Sequence, residues 1–406
     1  MRVVVVGAGH AGVEFADALR RNGFDGELTL LDEQADQPYQ RPPLSKDQLR
    51  DPAQQPLPIR GEAFYDAARI ELVRGAVVST IDRAAREVSM GDGRRLRYDT
   101  LVLATGSQSP TPPWQVTGPI RRLRTLDDTR WLAPVLRERC RIIVIGAGYV
   151  GLEVAAAAGE LGCEVLVATR GRRLMSRAVS APMSSAVLLR HQAKGVAFRF
   201  DAVVARVDQP RPGYAAVTLA DGSELRADVV LEATGVGPRT RLAREAGLEV
   251  SDGVLVDSSL RTSDPAIFAI GDCARMRYGQ AHLRLESLPN ATDQAHHLAN
   301  VLTGAAHAFS PAPWFWSSQG KIRLQIAGLS AEDDASFIVG DESDGAFSVL
   351  RVRDGRVSCV ESLNDIKTHS IARRMLSQNE LPVIDAAVDS GLVRSTPRPV
   401  LAPPVL

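Results

Sequence analysis

The stretch Arg2-Val3-Val4-Val5-Val6-Gly7-Ala8-Gly9-His10-Ala11-Gly12 decides the fold of this chain. An unbroken run of valines suits the middle of a parallel sheet, where strands are buried on both faces. The glycines at Gly7, Gly9 and Gly12 then give the GxGxxG spacing of a strand-to-helix turn that binds a dinucleotide. The first glycine permits a tight turn, the second lets the backbone approach a pyrophosphate, and the third allows close packing of helix on strand. With Ala11 they are expected to surround that pyrophosphate, at a helix running through Arg21 whose N-terminal amides and dipole favour phosphate. A second strand, Leu28 to Leu31, ends in Asp32 and Glu33 and completes a βαβ unit. Glu33 is expected to accept hydrogen bonds from an adenosine ribose, with Asp32 left to solvent.

A lone GxGxxG is weak, because glycines also mark ordinary turns. Here the design returns: Arg141-Ile142-Ile143-Val144-Ile145 leads into Gly146-Ala147-Gly148-Tyr149-Val150-Gly151, an alanine-rich helix and the strand Glu164 to Ala168. Two strand ends share a further pattern, Leu101-Val102-Leu103-Ala104-Thr105-Gly106 and Val229-Val230-Leu231-Glu232-Ala233-Thr234-Gly235. Each reads as the closing strand of one nucleotide-binding domain. The fold class is therefore α/β, with two Rossmann-like dinucleotide-binding domains. Proline-rich stretches mark the boundaries: the first domain is expected over 1–109 and 238–312, and the second, inserted into it, over 110–237. From 313 to 406, alternating runs such as Arg323 to Ala327 and Phe347 to Val352, an Asp354-Gly355 turn and a helix near Ile371 to Gln378 predict a small α+β C-terminal domain.

Composition narrows the function. Lys plus Arg equals Asp plus Glu at 48 each, so no global charge selects nucleic acid or an anionic membrane as partner. No apolar run approaches the roughly 18 residues of a membrane span, and the glycine turn at Gly7 comes too early for a secretory leader to precede it; a cytoplasmic protein is expected. The cysteines, Cys140, Cys163, Cys273 and Cys359, lie far apart in sequence without CxxC or metal-ligand spacing. They are expected to pack as small buried hydrophobes, with no metal site.

Further motifs carry a resemblance over nearly the whole chain: Pro38-Tyr39 with Arg41-Pro42-Pro43-Leu44-Ser45-Lys46, Gly151-Leu152-Glu153, Thr262-Ser263-Asp264-Pro265 leading to Gly271-Asp272-Cys273-Ala274, RLESLPNATDQA (284–295) and PWFWSSQG (313–320). The sequence resembles the FAD-dependent reductases that feed [2Fe-2S] ferredoxins in bacterial P450 and Rieske-type oxygenase systems, the putidaredoxin reductase and biphenyl dioxygenase ferredoxin reductase type. That resemblance implies a glutathione-reductase-like fold, FAD and NAD(P)H as cofactors, a [2Fe-2S] ferredoxin as partner and, indirectly, a P450 or Rieske oxygenase. No cysteine precedes Cys140, so the segment where disulfide reductases hold their redox-active pair has RPPLSK instead. Without a thiol relay, electrons leave the flavin directly, and a one-electron carrier is a natural acceptor. A rubredoxin or quinone reductase, or a redox-controlled flavoprotein that binds a partner, shares the same cofactor motifs.

The resemblance also implies residue roles. Lys46 and Arg41 reach the flavin side, where a cation stabilises the reduced ring. Gly271 and Asp272 bind the FAD ribityl region, with Val78, Ala104, Thr105, Gly106, Arg124 and Leu288 as further FAD contacts. Gly146, Gly148, Val150, Gly151, Thr234 and Gly235 line the nicotinamide nucleotide. Glu153, read as lying on the first turn of its helix, orients the nicotinamide and joins Lys46 as a catalytic residue. NAD-preferring relatives place an acidic residue where this chain has Thr169, followed by Arg170 and Arg172; removing that repulsion and adding donors leans the chain towards NADPH. His296 and His297 are adjacent on a helix, so they face different directions. Trp314 and Trp316 are read as core packing or as rings near the cofactor.

Overall fold

In a computed structural model of the chain, residues 1–119, 121–137, 139–211, 213–278, 281–305, 309 and 312–400 are described. They divide into two compact units. The first comprises 1–40, 56–108 and 236–311, and the second 41–55, 109–235 and 312–406.

At the centre of the first unit the valine run forms the strand Arg2–Val6, flanked in parallel by Glu27–Leu31 on one side and Thr100–Leu103 on the other. Glu71–Val73 and Ile267–Ala269 extend the sheet to five strands. Val3, Val4 and Val5 are essentially inaccessible, as expected of a strand covered on both faces. The helix His10–Arg21 packs on the helix Leu288–Leu302, burying Phe15, Leu19, Ala295 and Leu298. Strand order reverses on either side of Arg2–Val6, so the first fingerprint leaves the sheet at a topological switch point, where open α/β sheets bind ligands.

The second unit repeats this layout. Arg141–Ile145 lies between Glu164–Ala168 and Val229–Glu232, with Ala197–Arg199 at the edge, all parallel. Its fingerprint opens the helix Tyr149–Glu160. The same unit contains a six-stranded antiparallel sheet, in the order Trp314–Gln319, Ile322–Gly328, Arg356–Leu363, Ala346–Arg353, Ala335–Asp341, Arg398–Pro399, with the helix Ile366–Ser377. The predicted α+β character of the C-terminal region holds, and its helix starts five residues earlier than the sequence suggested because Asp365 caps it through the Thr368 amide.

The RPPLSK segment is a 3-10 turn, Pro42–Ser45, followed by the short helix Asp47–Arg50. Paired prolines preset the turn and remove two amide donors. Leu49 is buried in the core of the second unit, and Arg50 pairs with Glu160 at 2.7 Å, which ties residues 41–55 to that unit.

Candidate active site

In the first unit the fingerprint is fixed by backbone crowding. Gly7 has φ +110°, and a Cβ there would fall 2.2 Å from the Ala104 carbonyl oxygen; a Cβ on Gly12 would fall 2.0 Å from that of Gly7. Gly9 faces open space, and its helix starts from that glycine with no acidic residue in its first turn. Uncapped amides, a positive dipole end and room for close approach fit a pyrophosphate. Gly271 lies against this helix, since a Cβ on it would come 3.0 Å from that of Ala11, and its amide donates to Gln294 Oε1 at 2.7 Å. Asp272 therefore sits beside the fingerprint, where Ser107 donates to it at 2.7 Å. Thr105 donates to the Arg239 carbonyl at 2.8 Å, Gly106 takes φ +67°, Val78 is buried, and Leu288 opens its helix.

The acidic pair after the second strand behaves differently from the expectation. Asp32 is buried rather than solvated, and it accepts from the Gln34 amide at 3.3 Å, stiffening the turn. Glu33 remains accessible at 43% and is held by Arg239, a partner the sequence did not suggest. An accessible, oriented carboxylate at a strand end suits a ribose diol.

The second fingerprint reproduces the first. Gly146 has φ +113° with the Ala233 oxygen 2.3 Å from its imagined Cβ, Gly151 would meet the Gly146 oxygen at 2.3 Å, and Gly148 faces open space. Val150 is 43% exposed although apolar. Thr234 donates to Glu232 at 2.5 Å, Glu232 is also paired with Arg122, and Gly235 has φ +111°. At the end of the next strand Thr169 accepts from the Gly171 amide at 3.4 Å, Arg170 is exposed, and Arg172 is 90% exposed with Asp201 3.5 Å away.

Lys46 and Glu153 are brought together. Lys46 Nζ lies 2.6 Å from Glu153 Oε2, with both side chains largely buried. Glu153 occupies the second turn of its helix, the fifth residue after Gly148, so the dipole reading for a first-turn carboxylate does not apply. Its stabilisation comes from side chains. Ser45 donates to Oε2 at 2.5 Å and Ser317 to Oε1 at 2.7 Å. Lys46 is itself pinned by the Pro42 carbonyl at 3.0 Å. Arg41 donates to the Arg124 carbonyl at 2.8 Å, and the Arg124 amide donates to Asp128 at 2.9 Å.

Behind Ser317 the network continues. Gln319 Nε2 donates to Ser317 Oγ at 3.2 Å, and its Oε1 lies 2.8 Å from His191 Nε2. An amide oxygen only accepts, so His191 carries its proton on Nε2. Burial lowers the His191 pKa, although Gln319 opposes this, and the ring is neutral at physiological pH. Every donor from His191 through Gln319 and Ser317 points towards Glu153, an alignment in which each bond polarises the next. Ser317, Gln319 and His191 were not assigned roles from the sequence. The signal was present in PWFWSSQG: Ser317 and Gln319 are two apart on one strand, so both turn the same way, and both are buried.

Trp314 and Trp316 stack on one another at 5.3 Å, with Arg373 3.6 Å above Trp314. His296 faces Glu14 at 3.7 Å and His297 the Ser258 carbonyl at 3.0 Å, in line with their adjacency. Among the described residues, no group of three or more His, Cys, Asp or Glu is arranged for a metal ion, and no helix is long and apolar enough to cross a membrane.

Comparison with known proteins places this geometry in context. Residues 1–295 match the family described as pyridine nucleotide-disulphide oxidoreductase, and residues 314–392 match the reductase C-terminal family. Rhodocoxin reductase of Rhodococcus erythropolis is 40% identical over 94% of this chain and 91% of its own length. The ferredoxin–NAD(+) reductase component of the anthranilate 1,2-dioxygenase system of Burkholderia cepacia is 37% identical over 93% of this chain and 95% of its own. The reductase chain in the crystal structure of the covalent putidaredoxin reductase–putidaredoxin complex superposes with a TM-score of 0.88, at 35% identity over 94% of both chains.

Proposed function

Because the chain belongs to the pyridine nucleotide-disulphide oxidoreductase family and carries the reductase C-terminal domain, we propose that it is an NAD(P)H-dependent ferredoxin reductase. It passes electrons from NAD(P)H through FAD to a [2Fe-2S] ferredoxin that supplies a P450 or Rieske-type oxygenase. The observation that carries this reading is the duplicated fingerprint combined with the Lys46–Glu153 pair in place of a cysteine pair after the first βαβ unit. FAD, when bound, accepts a hydride and gives up electrons singly, which joins a two-electron donor to a one-electron carrier.

The residues have separable tasks. Gly7, Gly9, Ala11 and Gly12 admit the FAD pyrophosphate, Glu33 takes the ribose, and Asp272 takes the ribityl hydroxyls. Gly146, Gly148 and Gly151 admit the nicotinamide nucleotide. A carboxylate has about four acceptor sites; Lys46, Ser45 and Ser317 occupy three at Glu153. The remaining one suits the nicotinamide carboxamide N–H, which fixes the ring face for hydride transfer. Lys46 keeps a positive charge where negative charge grows during reduction. The domains assigned are 1–109 with 238–312 for FAD, 110–237 for NAD(P)H and 313–406 for the C-terminal domain, with residues 41–55 packed in the second unit.

The finer reading is a preference for NADPH, supported by Thr169 in place of a carboxylate and by the exposed Arg170 and Arg172. The cytoplasm, with its nucleotide pool, is the compartment proposed. The test is reduction of cytochrome c by NADPH or NADH with and without a [2Fe-2S] ferredoxin. The proposal expects strong stimulation by ferredoxin and a higher kcat/KM for NADPH. Failure of several ferredoxins to stimulate a reducible flavoprotein overturns the function, and a higher kcat/KM for NADH overturns the nucleotide preference alone.

A further inference from the structure

Two cysteines that lie 23 positions apart in sequence become neighbours at the N-terminal end of the second nucleotide sheet's two inner strands, opposite its fingerprint. Arg141–Ile145 and Glu164–Ala168 pair in parallel with Arg141 against Glu164, so the residues just before them, Cys140 and Cys163, face each other across the same ladder. The Glu164 amide donates to the Cys140 carbonyl at 2.8 Å and the Arg139 amide to the Gly162 carbonyl at 3.0 Å, clamping the two segments on both sides. Adjacent strands run about 5 Å apart, inside the Cα separation of roughly 4.4–6.8 Å that a disulfide spans. The two thiols are free and partly exposed. The Cys163 thiol also lies 3.3 Å from the Arg137 carbonyl, so its single hydrogen serves either that oxygen or the Cys140 sulfur.

The remaining cysteines lack these features. Cys273 and Cys359 are buried, and burial pushes both thiols up. Cys140 is instead held below the ordinary thiol range, first by the hydrogen bond from Cys163 and further by Arg137, while the same hydrogen bond raises Cys163. Two partly exposed thiols facing each other across one ladder supply an attacking sulfur and, beside it, a resolving one.

We propose that Cys140 and Cys163 form a dithiol site that peroxide oxidises to an intrachain disulfide. The Cys140 thiolate attacks one peroxide oxygen, breaking the O–O bond and forming a sulfenic acid; the departing hydroxide takes a proton and leaves as water. Cys163 then attacks the Cys140 sulfur, forming the S–S bond and releasing a second water. Two thiols are oxidised and one hydrogen peroxide is reduced to two waters. Five strand residues, about 16 Å, separate this site from Gly146, so closure tethers the βαβ unit without touching the fingerprint.

The holoenzyme treated with hydrogen peroxide, alkylated and digested without reduction tests this. A peptide linking Cys140 to Cys163, together with a fall from four titratable thiols to two in denaturant, is expected, and dithiothreitol should restore all four. As a second readout, phenylarsine oxide should protect both residues from alkylation in the native protein and leave Cys140 unprotected in Cys163→Ser. Retention of four free thiols, separate over-oxidation of the two cysteines, linkage only between chains, or equal arsenical protection in Cys163→Ser overturns the proposal.

Discussion

The two fingerprints are nearly the same backbone put to different ends. Gly7 and Gly146 share a φ near +110°, and a Cβ at either would meet a carbonyl oxygen of the closing strand at 2.2–2.3 Å. The correspondence extends past the glycines: Glu14 follows Gly12 by two residues, as Glu153 follows Gly151. Glu14 is paired with Arg60 at 3.0 Å at a partly exposed site, and Asp17 shares that arginine. Glu153 is buried with Lys46, two serines and a chain of amide and imidazole donors behind it. At the ends of the second strands, the two registers make Thr169 the counterpart of Asp32 and Arg170 the counterpart of Glu33. Duplicated backbone geometry therefore sets what class of ligand each sheet takes, and the few side chains around it set the nucleotide and what happens to it.

The sharpest division of labour should come from the glycines. Gly12→Ala should cost more than tenfold in flavin content of the purified protein, because its Cβ overlaps a backbone oxygen that cannot step aside. Gly151→Ala should instead retain flavin, seen in its absorbance, and raise the KM for nucleotide by about tenfold, or roughly 1.4 kcal/mol. If both variants lose flavin equally, the two sites are not separable.

The glutamates break the symmetry next. Glu153→Gln leaves the buried Lys46 without its anion, and nucleotide-driven flavin reduction followed by rapid mixing should slow by about tenfold, with dithionite reduction unaffected. Glu14→Gln should change stability by no more than about 1 kcal/mol, since Asp17 still holds Arg60.

At the strand ends, Arg170→Glu restores the charge found at Glu33 and should move the NADPH-to-NADH ratio of kcat/KM by about tenfold towards NADH. The smallest effect is expected from Ser317→Ala, about 1 kcal/mol through loss of one donor to Glu153, appearing as a few-fold weaker nucleotide binding that Ser317→Thr restores.

How much of this was legible in the sequence follows from what is local. Unbroken apolar strands and GxGxxG turns are determined within about 30 residues, so both sheets and both glycine sets could be read directly. Lys46 and Glu153 were each singled out by motif, but their pairing depends on residues 41–55 packing with the second unit, a contact 107 positions apart with no local signature. Asp32 and Glu33 look interchangeable as text; the turn buries one and exposes the other. Cys140 and Cys163 read as distant because spacing rules count along the chain, whereas a parallel βαβ unit returns the chain beside its start.

The most direct test of the account is an anaerobic titration in which one equivalent of NADPH reduces the flavin and a [2Fe-2S] ferredoxin is then added. The account predicts that the flavin reoxidises as two ferredoxins are reduced for each NADPH consumed, with no thiol titrating in step. A flavin that stays reduced in the presence of ferredoxin, or one whose oxidation follows a cysteine pair, would contradict it.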